Sequence, residues 1–326
     1  MWLSSRFFRL TPDGHPDKPV CLNNLGSSFA SRFQRLGNLA DINEAIVAQQ
    51  QAVRLTPDGR PGKPARLNNL GHSLNSRFRR VGNLADINEA IMAQQQATCL
   101  TPNGHPGKPA HLNNLGNSFQ SRFEHLHNLT DVNEAIMAQQ QAVRLTPDGH
   151  HDKPARLNNL GTCFESRFGH LGNLADVNEA IMAQQQAVRL TTDGHPAKAA
   201  YLNNLGCSFA SRFHCLGNLA DVNEAITAQQ QAVRLAPDDH PNKPARLNSL
   251  GLSFQSRFKR LGNLADINEV IVAQQQAVNL TPDGHPNKLQ YLASLRLSLQ
   301  NRSEHLCNLV GAVNPSDCQT KDADSD

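Results

Sequence analysis

Apolar positions between residues 64 and 98 follow the spacing of an α-helix. The first set falls at steps of three and four, at Leu67, Leu70, Leu74, Phe78 and Val81. The same apolar face resumes in a second stretch, at Leu84, Ile87, Ala90, Ile91, Gln94 and Ala97. Gly82 and Asn83 interrupt the pattern, and asparagine is a preferred N-terminal cap of a helix. The pattern predicts two helices, A and B, joined by a short turn.

This pair of predicted helices recurs with a period of 45 residues. The sequence Leu-Asn-Asn-Leu-Gly begins at Leu67 and recurs, intact or altered, at Leu22, Leu112, Leu157, Leu202, Leu247 and Leu292. Turns rich in proline and glycine, such as residues 56–59, separate the copies. A fixed period of this size indicates one structural unit that stacks on its neighbours. We therefore expect an all-α solenoid, because neither helix can bury its apolar face alone.

The turns define the predicted boundaries of the repeats. Residues 1–10 match the end of a repeat and are predicted to be the stub of a preceding unit. Six full repeats are predicted over 11–280, at 11–55, 56–100, 101–145, 146–190, 191–235 and 236–280. A degenerate terminal repeat at 281–313 is expected to form one capping helix, with its apolar face at Leu289, Leu292, Leu295 and Leu299. The acidic tail 314–326 is too polar to pack and is predicted to be disordered.

The composition of the chain disfavours some classes of binding partner and indicates its compartment. The 31 basic and 28 acidic residues leave a net charge of only +3, and aromatic residues make up 5% of the chain. Neither the charge nor the aromatic content favours binding to nucleic acid or to a membrane surface. Seven scattered cysteines show no paired spacing, which indicates reduced thiols. No apolar run approaches the length of a membrane span, so we predict a cytoplasmic protein.

Each repeat resembles a tetratricopeptide repeat (TPR). The helix A signature of that family is met by Leu22, Leu25-Gly26 and Phe29. The helix B signature of two small residues and a later proline is met by Ala45, Ala52 and Pro57. The 45-residue period departs from the usual length of about 34 residues, and Gln49 stands where the family has a large residue in helix B. The resemblance implies a right-handed superhelical solenoid of helix-turn-helix TPR-like repeats.

The amino-acid sequence of the repeats is also similar to that of long TPR arrays in fungal proteins. Those arrays accompany a caspase-like CHAT domain or a nucleotide-binding domain. The present sequence contains no Gly-x-x-x-x-Gly-Lys-Ser/Thr phosphate-binding loop, and its non-repetitive segments are too short for a peptidase. One interpretation is therefore a regulatory or sensor array of a larger signalling protein that carries such a domain.

The recurrent loop histidines and the recurrent serine are the candidates for metal binding and catalysis. Histidines recur in the loop after each turn, at His15, His105, His150, His151, His195, His240 and His285. Stacked helices lie about 8–10 Å apart, whereas zinc ligands lie about 2 Å from their ion. We therefore predict solvated loop histidines and no metal site. The serine of the recurrent Ser-Arg-Phe motif has no histidine partner at a helical spacing, so we predict no enzyme and no cofactor.

Two polar ladders leave alternatives open. The arginine of Ser-Arg-Phe either pairs with carboxylates of helix B, such as Asp86 or Glu89, or forms a basic row that binds an acidic peptide. The asparagines of Leu-Asn-Asn-Leu-Gly either tie adjacent helices A together or present amides to a bound backbone. Positions after the glycine and three residues further on vary between repeats and should face the same side of helix A.

The sequence favours a non-catalytic scaffold that binds a partner peptide or protein in a concave groove lined by the helices A. End-to-end self-association through Phe7-Phe8 is a further possibility. The candidate groove residues are Asn23, Asn68, Asn113, Asn158, Asn203, His72, Asn117, Thr162, Asn75, Gln120, Glu165, Arg77, Arg122 and Arg167. The identity of the partner does not follow from the sequence.

Overall fold

The computed structural model describes residues 15–313 of the 326-residue chain. Within that range it contains thirteen α-helices and no strand. The helices are α1 (Lys18–Leu36), α2 (Leu39–Arg54), α3 (Lys63–Val81), α4 (Leu84–Leu100), α5 (Lys108–Leu126), α6 (Leu129–Leu145), α7 (Lys153–Leu171), α8 (Leu174–Arg189), α9 (Lys198–Leu216), α10 (Leu219–Leu235), α11 (Lys243–Leu261), α12 (Leu264–Leu280) and α13 (Lys288–Val313). The predicted all-α fold with helix pairs every 45 residues is confirmed. The predicted stub at 1–10, which includes Phe7-Phe8, and the predicted tail at 314–326 lie outside the described residues.

Local sequence signals set the ends of each helix, as the second pair shows. Helix α3 has a proline in its first turn, where the missing N–H removes no helical hydrogen bond. It ends at Gly82, whose φ of 76° is left-handed and whose N–H donates to the carbonyl of Phe78 at 2.7 Å. Asn83 then caps α4, since its side chain accepts from the N–H of Ala85 at 3.0 Å. A link of two residues between α3 and α4 produces a helical hairpin.

The described residues divide into two compact units, with the boundary between Asp176 and Val177, near the start of α8. In the first unit, α1 packs on α2, α3 on α4 and α5 on α6, and each hairpin also contacts the next helix along the chain. In the second unit, α9 packs on α10 and α11 on α12, and α13 packs against α12. Each unit is therefore a stack of helical hairpins.

The core of a hairpin follows the apolar face that the sequence predicts. Leu74 of α3 and Ile87 of α4 are completely buried, and burial of one such side chain contributes about 1.5–3 kcal/mol. The prediction is wrong for Val81 and Leu84, whose side chains are 54% and 39% exposed. Val81 is the last residue of α3, where the chain already turns away at Gly82, so its side chain extends past the core.

The apolar face predicted for the terminal helix is also partly wrong. Leu289, Leu292 and Leu299 of α13 are exposed, whereas Leu295 is buried. Among residues 288–308 of this helix, the other buried positions are Tyr291 and Ser298. Because α13 packs against α12 through this narrower stripe, several leucines that continue the repeat pattern lie on the side that faces away from α12.

None of the helices described between residues 15 and 313 combines the length and the apolar character that a transmembrane span requires.

Candidate partner-binding cleft

The recurrent arginine of helix A forms an ion pair inside the protein. Arg77 donates from Nε and Nη2 to the two carboxylate oxygens of Asp86, each at 2.7 Å. Its Nη1 donates to Asn43 of the preceding hairpin at 2.9 Å. The hydrogen bonds that Arg77 donates to Asp86 raise the pKa of the Arg77 guanidinium. The predicted ion pair with a carboxylate of helix B is therefore present, and all three guanidinium nitrogens already have partners.

This arrangement repeats at the other candidate arginines. Arg122 donates to Asp131 and to Asn88. Arg167 donates to Asp176 and to Asn133. Each arginine thus joins helices A and B of one hairpin to helix B of the previous hairpin.

The asparagine pairs join neighbouring helices A within the first unit. The second asparagine of one repeat donates from Nδ2 to the side-chain oxygen of the first asparagine of the preceding repeat. The pairs are Asn69 to Asn23 at 3.1 Å, Asn114 to Asn68 at 3.1 Å and Asn159 to Asn113 at 3.0 Å. The alternative in which asparagines tie adjacent helices A together is therefore present in this unit.

A buried glutamine occupies the middle of each helix B. Gln94 is 1% exposed, and its Cγ lies against the backbone of Gly71 so closely that a Cβ on that glycine would come within 2.6 Å. The side-chain oxygen of Gln94 has no hydrogen-bond partner. Helices A and B can therefore approach closely because this position of Leu-Asn-Asn-Leu-Gly is glycine. The close approach places the polar side-chain amide of Gln94 at the centre of the hairpin.

A polar cleft of about 310 Å³ lies along α3, α5 and α7 of the first unit. Candidate residues from all three helices line it, and Gln94 of α4 forms part of its floor. The candidates that line the cleft are His72, Asn75, Asn117, Gln120 and Thr162. The positions that vary between repeats therefore meet on one surface here. Its further lining includes Arg79, Asn114, Glu124 and Cys163.

The remaining candidates lie next to the cleft or elsewhere. Asn68 of α3 and Asn158 of α7 are buried, and Asn23 lies in α1. Glu165 follows two residues after the cleft residue Cys163, and burial raises the pKa of its carboxyl to about 7. Burial also raises the pKa of the Cys163 thiol to about 12. Asn203 belongs to the second unit.

Sequence reasoning missed the role of a lysine at the start of each helix A. Lys63 is 9% exposed and its Nζ donates to the carbonyls of Val53 and Thr56, at 2.9 Å and 2.8 Å. These carbonyls lie at the end of the preceding helix B, where a positive charge is favourable. The signal was available, because a lysine recurs with the repeat period at Lys18, Lys63, Lys108, Lys153, Lys198, Lys243 and Lys288.

The loop histidines also have a structural role that the sequence did not reveal. The ring Nδ1 of His105 accepts from the backbone N–H of Gly107 at 3.0 Å, which fixes the turn before α5. The same contact is made by His15, His150, His195, His240 and His285.

One loop brings three potential metal ligands together. His150, His151 and Asp152 place ligand atoms within 4.8 Å of one another. Asp152 also pairs with Arg156 at 2.9 Å, and the ring of His150 accepts from the N–H of Asp152. Two of the three groups are thus already engaged by the chain itself, and the absence of a metal site stays a prediction.

The comparisons with known proteins are informative at the level of fold. Neither a protein-family model nor a curated protein sequence matches the chain. The crystal structure of the APC/C hetero-tetramer Cut9–Hcn1 matches with a TM-score of 0.59 and 18% identity, over 91% of this chain and 46% of that chain. The structural neighbours are TPR-repeat proteins. The helical hairpins have the fold of tetratricopeptide repeats.

Two smaller TPR structures match with lower scores. A putative kinesin light chain from Podosopora anserina with nearly identical TPR-like repeats has 20% identity and a TM-score of 0.48, over 65% of this chain and 97% of that chain. YrrB, a TPR protein with an unusual peptide-binding site, has 14% identity and a TM-score of 0.45, over 76% of this chain and 98% of that chain. At these identities the likeness is one of fold alone. The fungal type and the association with a CHAT or nucleotide-binding domain stay predictions.

Proposed function

We propose that the chain is a non-catalytic scaffold that binds a segment of a partner protein in the cleft along α3, α5 and α7. The observation that carries this proposal is the cleft itself. Its walls combine the variable positions of three successive helices A, and its lining is mostly polar. A volume of about 310 Å³ is at the small end of the range for ligand sites, about 300–1,000 Å³. The cleft therefore suits one or two side chains of an extended segment.

The shared fold supports a binding role of this kind. Stacked helical repeats present extended surfaces to partners. Cut9, which shares the fold, is found in a complex with Hcn1. The nearly even charge balance of the present chain favours a protein partner over nucleic acid.

The candidate residues divide into two roles within this proposal. His72, Asn117 and Thr162 would contact the partner, because they line the cleft. Arg77, Arg122 and Arg167 would support the surface, because their guanidinium groups are bound to aspartate and asparagine side chains of the chain itself. An acidic partner held by an arginine row is therefore not favoured.

An affinity capture from cell extract with the full chain as bait tests the proposal. The altered bait carries His72→Ala, Asn117→Ala and Thr162→Ala. The matched control carries Cys207→Ala and Leu252→Ala, at the same repeat position in the second unit. We expect a protein that is captured by the natural chain and by the control but not by the altered bait. Equal capture by all three baits would place any binding surface outside the cleft and contradict the proposal.

A further inference from the structure

A second cavity, of about 430 Å³, lies between the loop that precedes α1 and the loop that precedes α3. It shares no lining residue with the cleft along α3, α5 and α7. Lys18, Arg60, Arg66 and the ring of His15 line it, and no carboxylate from residues 15–313 does. The cavity therefore presents positive charge without an acidic residue of its own.

Two guanidinium groups supply the charge that a ligand can neutralise. Arg60 is exposed and Arg66 is partly buried, so both can be reached from the cavity. The Nε of Arg66 makes one long hydrogen bond, to the carbonyl of Pro19 at 3.4 Å. The nearby Asp58 pairs with Lys63 at 3.3 Å and does not line the cavity.

A later hairpin shows which group is missing beside Arg66. Arg156 occupies the same repeat position, and its Nη2 donates to Asp152, the N-cap residue of α7, at 2.9 Å. The N-cap residue of α3 is Gly62, and the Arg66 guanidinium lies over it in the space that a Cβ would occupy. Burial lowers the pKa of both guanidinium groups, and Asp152 opposes that effect at Arg156 alone. The loop before α3 thus lacks the anion that the loop before α7 provides.

The charge of the site favours an anion with two negative charges. The N-terminus of α3 adds its positive dipole end, and its first turn contains no acidic residue. Arg60 stands where the other six loops have histidine, so this loop alone combines arginine at the positions of Arg60 and Arg66. A phosphate monoester carries a charge of about −1.5 to −2 at pH 7, which two guanidinium groups balance better than they balance a carboxylate.

The remaining lining indicates what carries the phosphate. Pro16, Pro19, Leu55, Pro57 and Pro61 give the cavity an apolar wall next to its arginines. Its volume lies within the range of ligand sites, about 300–1,000 Å³, and so leaves room for more than the anion. An apolar group such as an aromatic ring fits against the prolines.

We propose that this cavity binds a phosphate monoester carried on an apolar group, with Arg60 and Arg66 donating to the phosphate oxygens. A phosphorylated tyrosine side chain and a small aryl phosphate share this chemistry. The site is separate from the proposed cleft, so the two can be tested independently.

Other repeats supply substitutions that are compatible with the fold. Arg60→His introduces the residue of the other six loops, and Arg66→Tyr introduces the residue found at Tyr201 and Tyr291. Gly62→Asp introduces the residue found at Asp17 and Asp152.

Arg246→Tyr is the matched control. Arg246 occupies the position of Arg66 in the second unit, where it is 5% exposed and its loop has His240 in place of Arg60.

The test is a titration of the isotope-labelled full chain, followed by the NMR signals of the arginine Nε–H groups. The probes are phenyl phosphate, benzoate and Nα-acetyl-phosphotyrosine methylamide. We expect phenyl phosphate to shift the Arg66 signal and to bind at least about tenfold more tightly than benzoate, which keeps the ring but carries one charge. Tighter binding of the phosphotyrosine probe than of phenyl phosphate would support a protein source of the group, and weaker binding would support a small molecule.

The variants give the second readout. Arg60→His and Arg66→Tyr should each weaken binding of phenyl phosphate by at least about tenfold, whereas Arg246→Tyr should leave it unchanged. Gly62→Asp should weaken binding as well, because its carboxylate would pair with Arg66 as Asp152 pairs with Arg156. Circular dichroism checks that each variant is folded.

Four results would overturn the inference. They are no response to phenyl phosphate, equal binding of phenyl phosphate and benzoate, an equal loss in Arg246→Tyr, and unchanged binding in a folded Gly62→Asp variant.

Discussion

The two units use nearly the same repeat sequence but complete their polar contacts to different extents. In the first unit, three successive asparagine pairs link the helices A. In the second unit, Ser249 replaces the donor asparagine, and its hydroxyl donates to the carbonyl of Ala245 in its own helix. The side-chain oxygens of Asn203 and Asn248 are left buried without a partner. Ser249 leaves Asn203 without its donor, and Ser294, at the same position one repeat later, leaves Asn248 without one, so two substitutions interrupt the contact.

The same comparison applies to the surface of the cleft. The first unit has His72, Asn75, Asn117 and Gln120 at the variable positions, whereas the second has Cys207, Ala210, Leu252 and Gln255. Leu252 is 47% exposed. A polar surface in one unit and a more apolar surface in the other are thus built above the same contacts of arginine with aspartate and asparagine.

The largest expected effect comes from removing one arginine of the ion pairs. Arg77→Ala in the first unit should cost about 3–5 kcal/mol, because Asp86, whose side chain is 5% exposed, would be left without its cation. Arg302→Ala in the second unit should cost less than about 0.5 kcal/mol, since within the described residues Arg302 donates one long hydrogen bond, to Asn268 at 3.4 Å.

Hydrogen exchange resolved by helix measures both variants. A similar loss of protection for the two would show that the contact with the buried aspartate contributes little.

A pH-dependent difference is expected next, at Glu165. Its folded-state pKa of about 7 lies above the ordinary value of 4.5, so the neutral form is favoured in the folded chain. The associated stability is complete below about pH 4.5 and is lost as the pH rises through about 7. Glu165→Gln should therefore stabilise the first unit by about 2 kcal/mol at pH 8 and have little effect at pH 4.5.

The effect of Glu165→Gln is measured by urea unfolding at pH 8 and at pH 4.5, with hydrogen exchange of the α7 amides as the readout. An equal effect at the two pH values would contradict the assignment. The helices of the second unit serve as the internal control.

The glycines of helix A should give a smaller difference. Gly71→Ala would bring a Cβ within 2.6 Å of Gln94 and 2.9 Å of the backbone oxygen of Ala90. We expect a net loss of about 1–2 kcal/mol, because overpacking outweighs the better helix propensity of alanine. At Gly251 the nearest atom, in Gln274, lies at 3.3 Å, so Gly251→Ala should be close to neutral.

Thermal unfolding of the two glycine variants provides the comparison. If Gly251→Ala were the more destabilising change, the packing difference between these hairpins would not explain the result.

The smallest expected effect concerns the interrupted asparagine contact. Ser249→Asn should stabilise the second unit by about 1 kcal/mol, because its amide can donate to the oxygen of Asn203. The reciprocal change, Asn69→Ser, should destabilise the first unit by a similar amount, since Asn23 would lose its donor. Opposite changes in urea midpoint are the expected result, and changes of the same sign would argue against the pairing.

Much of the fold could be predicted from the sequence, because it depends on local signals. The apolar spacing around Leu74 and Ile87, the proline at the start of α3 and the cap at Asn83 each determine structure within a few residues. The predictions failed at Val81 and in α13, where a residue continues the periodic pattern but the neighbouring helix does not cover it.

The candidate site was predictable only in part. The variation of positions 72, 75, 117 and 120 between repeats pointed to residues that line one cleft, and their role in binding stays a prediction. The buried oxygen of Gln94 could not be inferred, because it depends on how closely α4 approaches Gly71. The alternatives for the arginines could not be separated either, since only the three-dimensional contacts show which groups the guanidinium meets.

The lysine contact at each junction has a consequence for how the number of hairpins can change. Lys63 reaches carbonyls seven and ten residues before it, and the arginine and asparagine contacts extend no further than the adjacent hairpin. A recombination event that inserts or deletes one 45-residue segment in register would therefore recreate these contacts at the new junction wherever both repeats carry the lysine, arginine and asparagine residues. The length of such an array can change by whole hairpins in a single genetic step, without any compensating substitution.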